Sequence, residues 1–93
     1  MLFLIIDNNI GDGGSEYIAI ALRMNTLLQN ISVRCNNITE EGVSHWIRQE
    51  KNFSQALKTI DLSENNIVNP KLIYMLLKFN QLTKLDISCI FVN

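Results

Sequence analysis

The feature that most constrains this chain is a short phrase, Asn-Asn-Ile, that recurs at a nearly fixed interval. Its first asparagines are Asn8, Asn36 and Asn65, which lie 28 and 29 residues apart. Apolar residues stand at matching positions around each of them: Phe3, Ile5 and Ile10 in the first copy, Leu28, Ile31, Val33 and Ile38 in the second, and Leu57, Ile60, Leu62 and Ile67 in the third. In-register recurrence of this kind indicates a repeat architecture.

A fourth copy begins but is incomplete. Leu82, Leu85 and Ile87 keep the apolar spacing, whereas Ile90 stands where an asparagine is expected. The alternation within each copy has the period of a β-strand, and the stretch after each isoleucine has the spacing of a helix. Since one strand and one helix cannot bury an apolar face alone, neighbouring copies must stack on one another.

The shared pattern, L-x-x-L-x-L-x-x-N-x-I-x-x-x-G followed by a helix, strongly resembles the leucine-rich repeat, and its 28–29-residue period resembles the ribonuclease-inhibitor-like type. The glycine is Gly14 and Gly42 in two copies and is replaced by Lys71 in the third. The resemblance covers essentially the whole chain. It implies an α/β fold: a leucine-rich-repeat solenoid forming a short right-handed horseshoe segment, with parallel strands concave, helices convex and about three and a half repeats.

The implied organisation is a single leucine-rich-repeat domain over residues 1–93, as expected for a chain of this length. The interval from Leu57 to Leu82 is only 25 residues, so the third helical segment is predicted to be about one turn shorter. The repeats cover approximately residues 1–27, 28–56, 57–81 and, in part, 82–93.

Each helical segment has its own capping and burial signals. Ser15 or Asp12 is a candidate cap of the first helix, Thr39 of the second, and Asn69-Pro70 reads as the start of the third. Helical spacing predicts buried stripes. These are Ile18, Ala21, Leu22 and Asn25 in the first helix, Val43, Trp46 and Ile47 in the second, and Leu72, Ile73, Leu76 and Leu77 in the third.

The residues between and just after the paired apolar positions are predicted to face out of the concave surface. Solenoids bind partners through such surfaces. Asp61 is predicted to form a surface ion pair with Arg34, and the neighbouring pair of Asp61 and Asp86 is predicted to be solvated rather than catalytic. The candidate partner-binding residues are Leu4, Ile6, Ser32, Arg34, Asp61, Ser63, Glu64 and Asp86.

The two asparagines of each pair are predicted to have different roles. Asn8, Asn36 and Asn65 occupy the fixed slot, where we expect a structural ladder of amides bonded to backbone groups left free as each strand ends. The second asparagine, such as Asn66, occupies a slot that the family leaves open. Loss of Asn66 is therefore expected to cost far less stability than loss of Asn65.

Composition and motifs argue against several functions. The formal net charge is −1, which indicates no basic patch for nucleic acid. No apolar run approaches the roughly 18 residues of a membrane span, and MLFLII lacks the basic start of a signal peptide. No nucleotide-binding or nucleophile motif occurs, so we expect no enzyme activity, cofactor or metal site. His45 is expected to point to solvent and Trp46 to pack in the core.

The cysteines bear on the cellular compartment. Cys35 and Cys89 occupy the same slot in the second and fourth copies, two strands or roughly 9–10 Å apart, which is too far for a disulfide. Two reduced thiols favour a cytoplasmic protein. Three sequons, at Asn30, Asn37 and Asn52, keep secretion open.

The leading functional hypothesis is a protein-interaction module or scaffold that binds a partner protein through the concave strand face or the solenoid ends. The alternative is a regulatory fragment of a larger repeat protein, such as a GTPase-activating or receptor-like protein. A third hypothesis is a homodimer through uncapped ends. Terminal repeats need polar outer faces, and an apolar end would otherwise have to be covered by a second copy. Leu2, Leu4 and Ile6 give the first strand an apolar stripe instead.

Overall fold

The described strands lie in one parallel sheet in chain order. The structure, a computed structural model, describes residues 2–4, 8–49, 56–67, 71, 74–75 and 82–87. The sheet order is β1-β2-β3-β4, and each neighbouring pair is parallel. The strands are β1 (Leu2–Leu4), β2 (Asn30–Ser32), β3 (Thr59–Asp61) and β4 (Lys84–Asp86), and the helices are α1 (Gly11–Met24) and α2 (Glu40–Gln49).

The sequence repeat is also the repeat of the sheet. Leu2 lies opposite Asn30, Asn30 opposite Thr59, and Thr59 opposite Lys84, so neighbouring strands are offset by 28, 29 and 25 positions. Parallel strands need a crossover, and α1 and α2 supply it after β1 and β2. This arrangement confirms the predicted α/β fold with parallel strands. The repeat boundaries and the number of repeats stay predictions.

The apolar positions of the repeat form the core. Ile31 and Ile60 point inward from β2 and β3, because side chains alternate along a strand. Fully burying a side chain of this size contributes roughly 1.5–3 kcal/mol, so the repeat pattern is a main source of stability. The core positions of the second and third copies are all at most 5% exposed: Leu28, Ile31, Val33, Ile38, Leu57, Ile60, Leu62 and Ile67.

Helices α1 and α2 pack side by side around Trp46, which is fully buried. Its Nε1–H donates to Ser15 Oγ at 2.7 Å, and Ser15 Oγ donates to the carbonyl of Gly42 at 3.0 Å. Trp46 is therefore a core residue, as predicted. Of the other members of its predicted stripe, Val43 is buried and Ile47 packs against the core.

The predicted buried stripe of α1 is only partly correct. Ala21 and Asn25 are exposed, whereas Ser15 and Ala19 are buried. The bulky indole of Trp46 lies against Ser15, which favours small side chains on this surface of α1. A prediction based only on apolar residues therefore placed the buried stripe on the wrong side of the helix. The two remaining members of the stripe do pack in or against the core: Ile18 and Leu22.

Neither predicted cap of α1 caps that helix. Its N-cap residue is Ile10, which makes no side-chain capping bond. Asp12 Oδ1 instead accepts from Thr39 N at 2.7 Å and from Gly42 N at 3.1 Å, at the start of α2. Thr39 does precede α2 as predicted, but the capping acceptor comes from α1. The predicted cap and stripe of the third helix lie outside the described residues: Asn69, Pro70, Leu72, Ile73, Leu76 and Leu77.

Candidate functional site

The outward-facing side chains of β2, β3 and β4 form two rows, and we call this surface, together with Leu4 of β1, the strand face. The first row was predicted, and the strand register brings its members together: Leu4, Ser32, Asp61 and Asp86. The second row was missed, although it lies two positions earlier and strand alternation predicts it. Its described side chains are Asn30, Thr59 and Lys84.

An open depression of about 360 Å³ lies between these rows. Thr59 Oγ1 donates to Asn30 Oδ1 at 2.6 Å, which fixes both side chains along one wall. The lining brings two carboxylates and one ammonium group to the same surface, so it suits the polar and charged groups of a binding partner. The lining residues are Asn30, Thr59, Ile60, Asp61, Lys84 and Asp86.

The carboxylate of Asp61 is held by two serines. Its Oδ2 accepts from Ser32 Oγ at 2.9 Å, and its Oδ1 accepts from Ser63 Oγ at 2.6 Å and Ser63 N at 3.0 Å. Ser32 and Ser63 are only 6% and 4% exposed. The expectation that both serines face a partner therefore needs correction: they orient Asp61 and offer little contact area themselves.

Arg34 pairs with Glu64 and not, as predicted, with Asp61. Its Nε–H donates to Glu64 Oε2 at 2.5 Å, and both side chains are exposed. Asp61 already accepts three bonds from the serines, so Glu64 is the carboxylate that Arg34 binds. An exposed pair of this kind contributes about 0–1 kcal/mol to stability. Its larger consequence is a fixed arrangement of charge beside the strand face.

The exposure of two further candidate residues is described by the structure. Leu4 is exposed, as predicted for the first strand, and Asp86 is half-buried. Ile6 lies outside the described residues. The role of the candidate set in binding a partner stays a prediction.

Asn36 and Asn65 form the predicted ladder. Each is fully buried, and each side chain spans two neighbouring repeats. Asn65 Oδ1 accepts from Asn36 N at 3.0 Å and Ile38 N at 2.9 Å, and Asn36 Oδ1 accepts from Asn8 N at 3.0 Å and, more weakly, from Ile10 N at 3.4 Å. Their Nδ2 groups donate to the carbonyls that end each strand, among them those of Val33 and Leu62. Asn8 itself is exposed.

The second asparagine of each pair is more constrained than expected. Asn9 and Asn37 have φ of 51° and 57°, the left-handed region that asparagine tolerates better than most residues. Asn66 Nδ2 also donates to Asn37 Oδ1 at 2.6 Å. In the first two copies, therefore, backbone conformation favours asparagine at this slot, whereas Asn66 of the third copy does not have a positive φ.

His45 and Cys35 are the remaining polar candidates that the structure describes. His45 does not simply face solvent, as expected: its Nε2 lies 3.4 Å from Glu16 Oε2, and its Nδ1 lies 3.3 Å from Arg48. Cys35 is exposed, whereas Cys89 lies outside the described residues. Among the described residues, no three His, Cys, Asp or Glu side chains are grouped to hold a metal, and no helix is long and apolar enough to cross a membrane.

An apolar depression lies on the flank of α1 that faces away from α2. This is the kind of surface through which the predicted homodimer of solenoid ends would form. Neither the part of the chain described here nor any comparison supports that dimer. The lining residues are Ile18, Ala21, Leu22, Asn25, Leu28 and Ile31.

Comparison with known proteins finds a likeness in fold to a solved structure. No family model and no curated protein matches the chain. A solved structure from the structural genomics of Caenorhabditis elegans, a tropomodulin C-terminal domain, is similar with a TM-score of 0.81 at 13% sequence identity. The match covers 96% of this chain and 55% of that one, so this chain spans about half the neighbour's length.

This likeness corrects the family assignment. The sequence pattern resembled the ribonuclease-inhibitor-like type, whereas the similarity found is to a tropomodulin domain, whose fold is leucine-rich-repeat-like. At 13% identity the likeness concerns the fold alone.

Proposed function

We propose that the chain is a protein-interaction module, built as a short leucine-rich-repeat-like solenoid of about three and a half repeats, that binds a partner protein through its strand face. The observation that carries the proposal is the fixed polar lining of the depression on that face. Asn30 and Thr59 are bonded to each other, and Asp61 is bonded to Ser32 and Ser63. Because these groups are oriented before binding, a partner meets a largely preorganised surface.

The charges on this face favour a partner of mixed charge. Asp61 and Asp86 lie opposite each other on β3 and β4, and Lys84 lies two residues before Asp86. A basic side chain placed between the carboxylates and an acidic one near Lys84 would complement this pattern. Such complementarity increases the association rate and specificity more than the raw affinity.

Two charge reversals on the strand-face side test the proposal. The chain is used as bait in a cross-linked pull-down from cytosol, alongside Lys84→Glu and Glu64→Lys. Arg48→Glu and Glu41→Lys, at exposed positions of α2, make matched charge changes away from the strand face. We expect the same captured protein to be lost with the first two variants and retained with the second two. Retention with all four variants would contradict the proposal.

Binding without catalysis, in the cytoplasm, is part of this proposal. The alternative, a regulatory fragment of a GTPase-activating or receptor-like protein, has no residue in the described ranges that favours it. A turnover assay separates the two: GTP hydrolysis by a GTPase, stimulated on addition of the chain, would contradict the binding-only proposal. The tropomodulin likeness supports the fold and names no partner for this chain.

A further inference from the structure

Helix α1 carries a second apolar surface opposite the one that it buries. Ser15, Ala19 and Leu22 pack inward. On the other side, Tyr17 and Met24 are 77% and 76% exposed, and Ile20 between them is 36% exposed. A helix on the surface of a globular protein normally has a polar outer face, so an apolar outer stripe indicates a contact surface.

The spacing of this stripe is that of a coiled-coil seam. Gly13, Tyr17, Ile20 and Met24 are separated by four, three and four residues, which is the alternation of the a and d positions of a heptad. Leu27 continues the spacing just beyond the helix and is also exposed. We call the four helical residues the α1 seam.

The seam is not shared by the next helix, α2, although Tyr74 of the third copy, 57 residues after Tyr17, occupies the same repeat position. One repeat later, 28 residues on, the residues equivalent to Gly13, Tyr17 and Ile20 are Glu41, His45 and Arg48. Those residues are polar, as expected for a helix facing water. An apolar seam on one helix beside a polar equivalent on the next indicates a local contact site.

The charges that flank the seam select the orientation of the occupant. Glu16 and Arg23 directly precede Tyr17 and Met24, so both occupy g positions of the heptad. Both side chains also make exposed contacts with α2: Glu16 Oε2 lies 3.4 Å from His45 Nε2, and Arg23 Nη1 donates to Gln49 Oε1 at 3.2 Å, so pairing across the dimer exchanges or shares these contacts. In an antiparallel pair of identical helices, g positions face one another, and Glu16 of each copy meets Arg23 of the other. In a parallel pair a g position faces an e position, here the uncharged Ala21.

We propose that a second copy of this chain docks antiparallel on the α1 seam. Tyr17 of each copy packs on Ile20 of the other, and Met24 enters the space above Gly13. An added Cβ at Gly13 would meet no atom within 4 Å, so the surface there is open. A glycine inside a helix is unfavourable for the monomer, and a hole that receives a long side chain explains its presence.

The pair is expected to be weak. The seam occupies one helix of 14 residues, so it buries less area than a standard interface. We expect a dissociation constant of roughly 10 µM to 1 mM. This surface lies opposite the core side of α1 and differs from both the strand face and the apolar depression on the flank of that helix.

Sedimentation of the full chain under reducing conditions, from about 10 µM to 1 mM, tests the proposal. Gly13→Gln and Met24→Gln are each expected to weaken dimerisation about tenfold or more. Gly13→Gln also keeps or raises the thermal midpoint, since glutamine is the better helix former. Tyr74→Ser, which removes the exposed tyrosine at the position of the third copy that matches Tyr17, leaves dimerisation unchanged.

A charge exchange tests the orientation. Glu16→Arg and Arg23→Glu alone each place like charges together at two symmetric positions and weaken the dimer about tenfold, whereas the double variant restores it. A monomer at every concentration overturns the proposal. So does a dimer that resists the seam variants but is lost with Ala21→Glu, because that result places the contact in the flank depression. None of these variants touches the strand face, so the outcome is independent of the partner-binding test.

Discussion

At the residue scale, the asparagine ladder shows how a single side chain can satisfy several buried backbone groups. The amide of Asn65 bonds to the backbone of Val33, Asn36 and Ile38 in one repeat and of Leu62 and Ser63 in the next. All of this lies in the buried interior, where a backbone group without a partner is costly.

The first prediction compares the two asparagines of one pair. Asn65→Ala leaves several buried backbone groups unsatisfied and is expected to lower the free energy of unfolding by about 3 kcal/mol. Asn66→Ala, at an exposed position, is expected to cost less than about 1 kcal/mol. Urea unfolding measures both. Equal losses would mean that the ladder does not contribute as its geometry indicates.

The second prediction concerns the left-handed backbone of Asn37. Asn37→Ala places a Cβ at φ 57° and is expected to cost about 1 kcal/mol. Asn37→Gly loses the same side-chain bond to Asn66 but tolerates this φ, so it should be clearly more stable than the alanine variant. Thermal unfolding of the two variants isolates the backbone effect. An alanine variant as stable as the glycine variant would contradict the predicted cost of the left-handed backbone at this position.

At the element scale, α2 depends on a residue outside itself. Asp12 in α1 accepts from Thr39 N and Gly42 N, which are donors at the start of α2. We predict that Asp12→Ala lowers the free energy of unfolding by about 1–2 kcal/mol, as for the loss of a helix cap. Glu41→Ala, which removes an acidic side chain from the first turn of α2, serves as the control and should cost a few tenths of a kcal/mol.

The repeat glycine is explained by the same junction. A Cβ at Gly42 would lie 2.5 Å from Asp12 Oδ1 and 2.6 Å from Ile38 Cγ2, so both Asp12 and Ile38 would have to move. Gly42→Ala is therefore predicted to destabilise the chain by about 1–3 kcal/mol. Gly13→Ala meets no atom and should stabilise it by up to about 1 kcal/mol. Glycine-to-alanine substitution in a helix is thus expected to change stability in opposite directions at the two positions. A gain in stability for Gly42→Ala would contradict the packing described.

These junctions separate what the sequence could predict from what it could not. The period placed Leu28, Ile31 and Val33 in the core correctly, because strand alternation and repeat stacking depend only on spacing along the chain. The bond from Asp12 to the next helix, and the choice of Glu64 over Asp61 by Arg34, depend on side-chain orientation across repeats. No local pattern encodes those distances.

At the scale of the whole molecule, the bonds that matter most cross from one repeat to the next. Ser15 and Trp46 join α1 to α2, and Asn65 joins the third copy to the second. A solenoid stabilised mainly by such nearest-neighbour contacts loses cooperativity only if one interface is much weaker than the others. The domain predicted from the sequence over residues 1–93 implies that the repeats unfold together.

The last prediction tests that cooperativity with the single tryptophan. Trp46 is fully buried between α1 and α2, so its fluorescence reports the packing of those helices. Far-UV circular dichroism reports helix content throughout the chain. We expect the two signals to give the same urea midpoint, and Asn65→Ala to lower both midpoints equally although Asn65 lies outside both helices. If the tryptophan signal kept its original midpoint in the variant while the dichroism moved, the repeats would be unfolding independently.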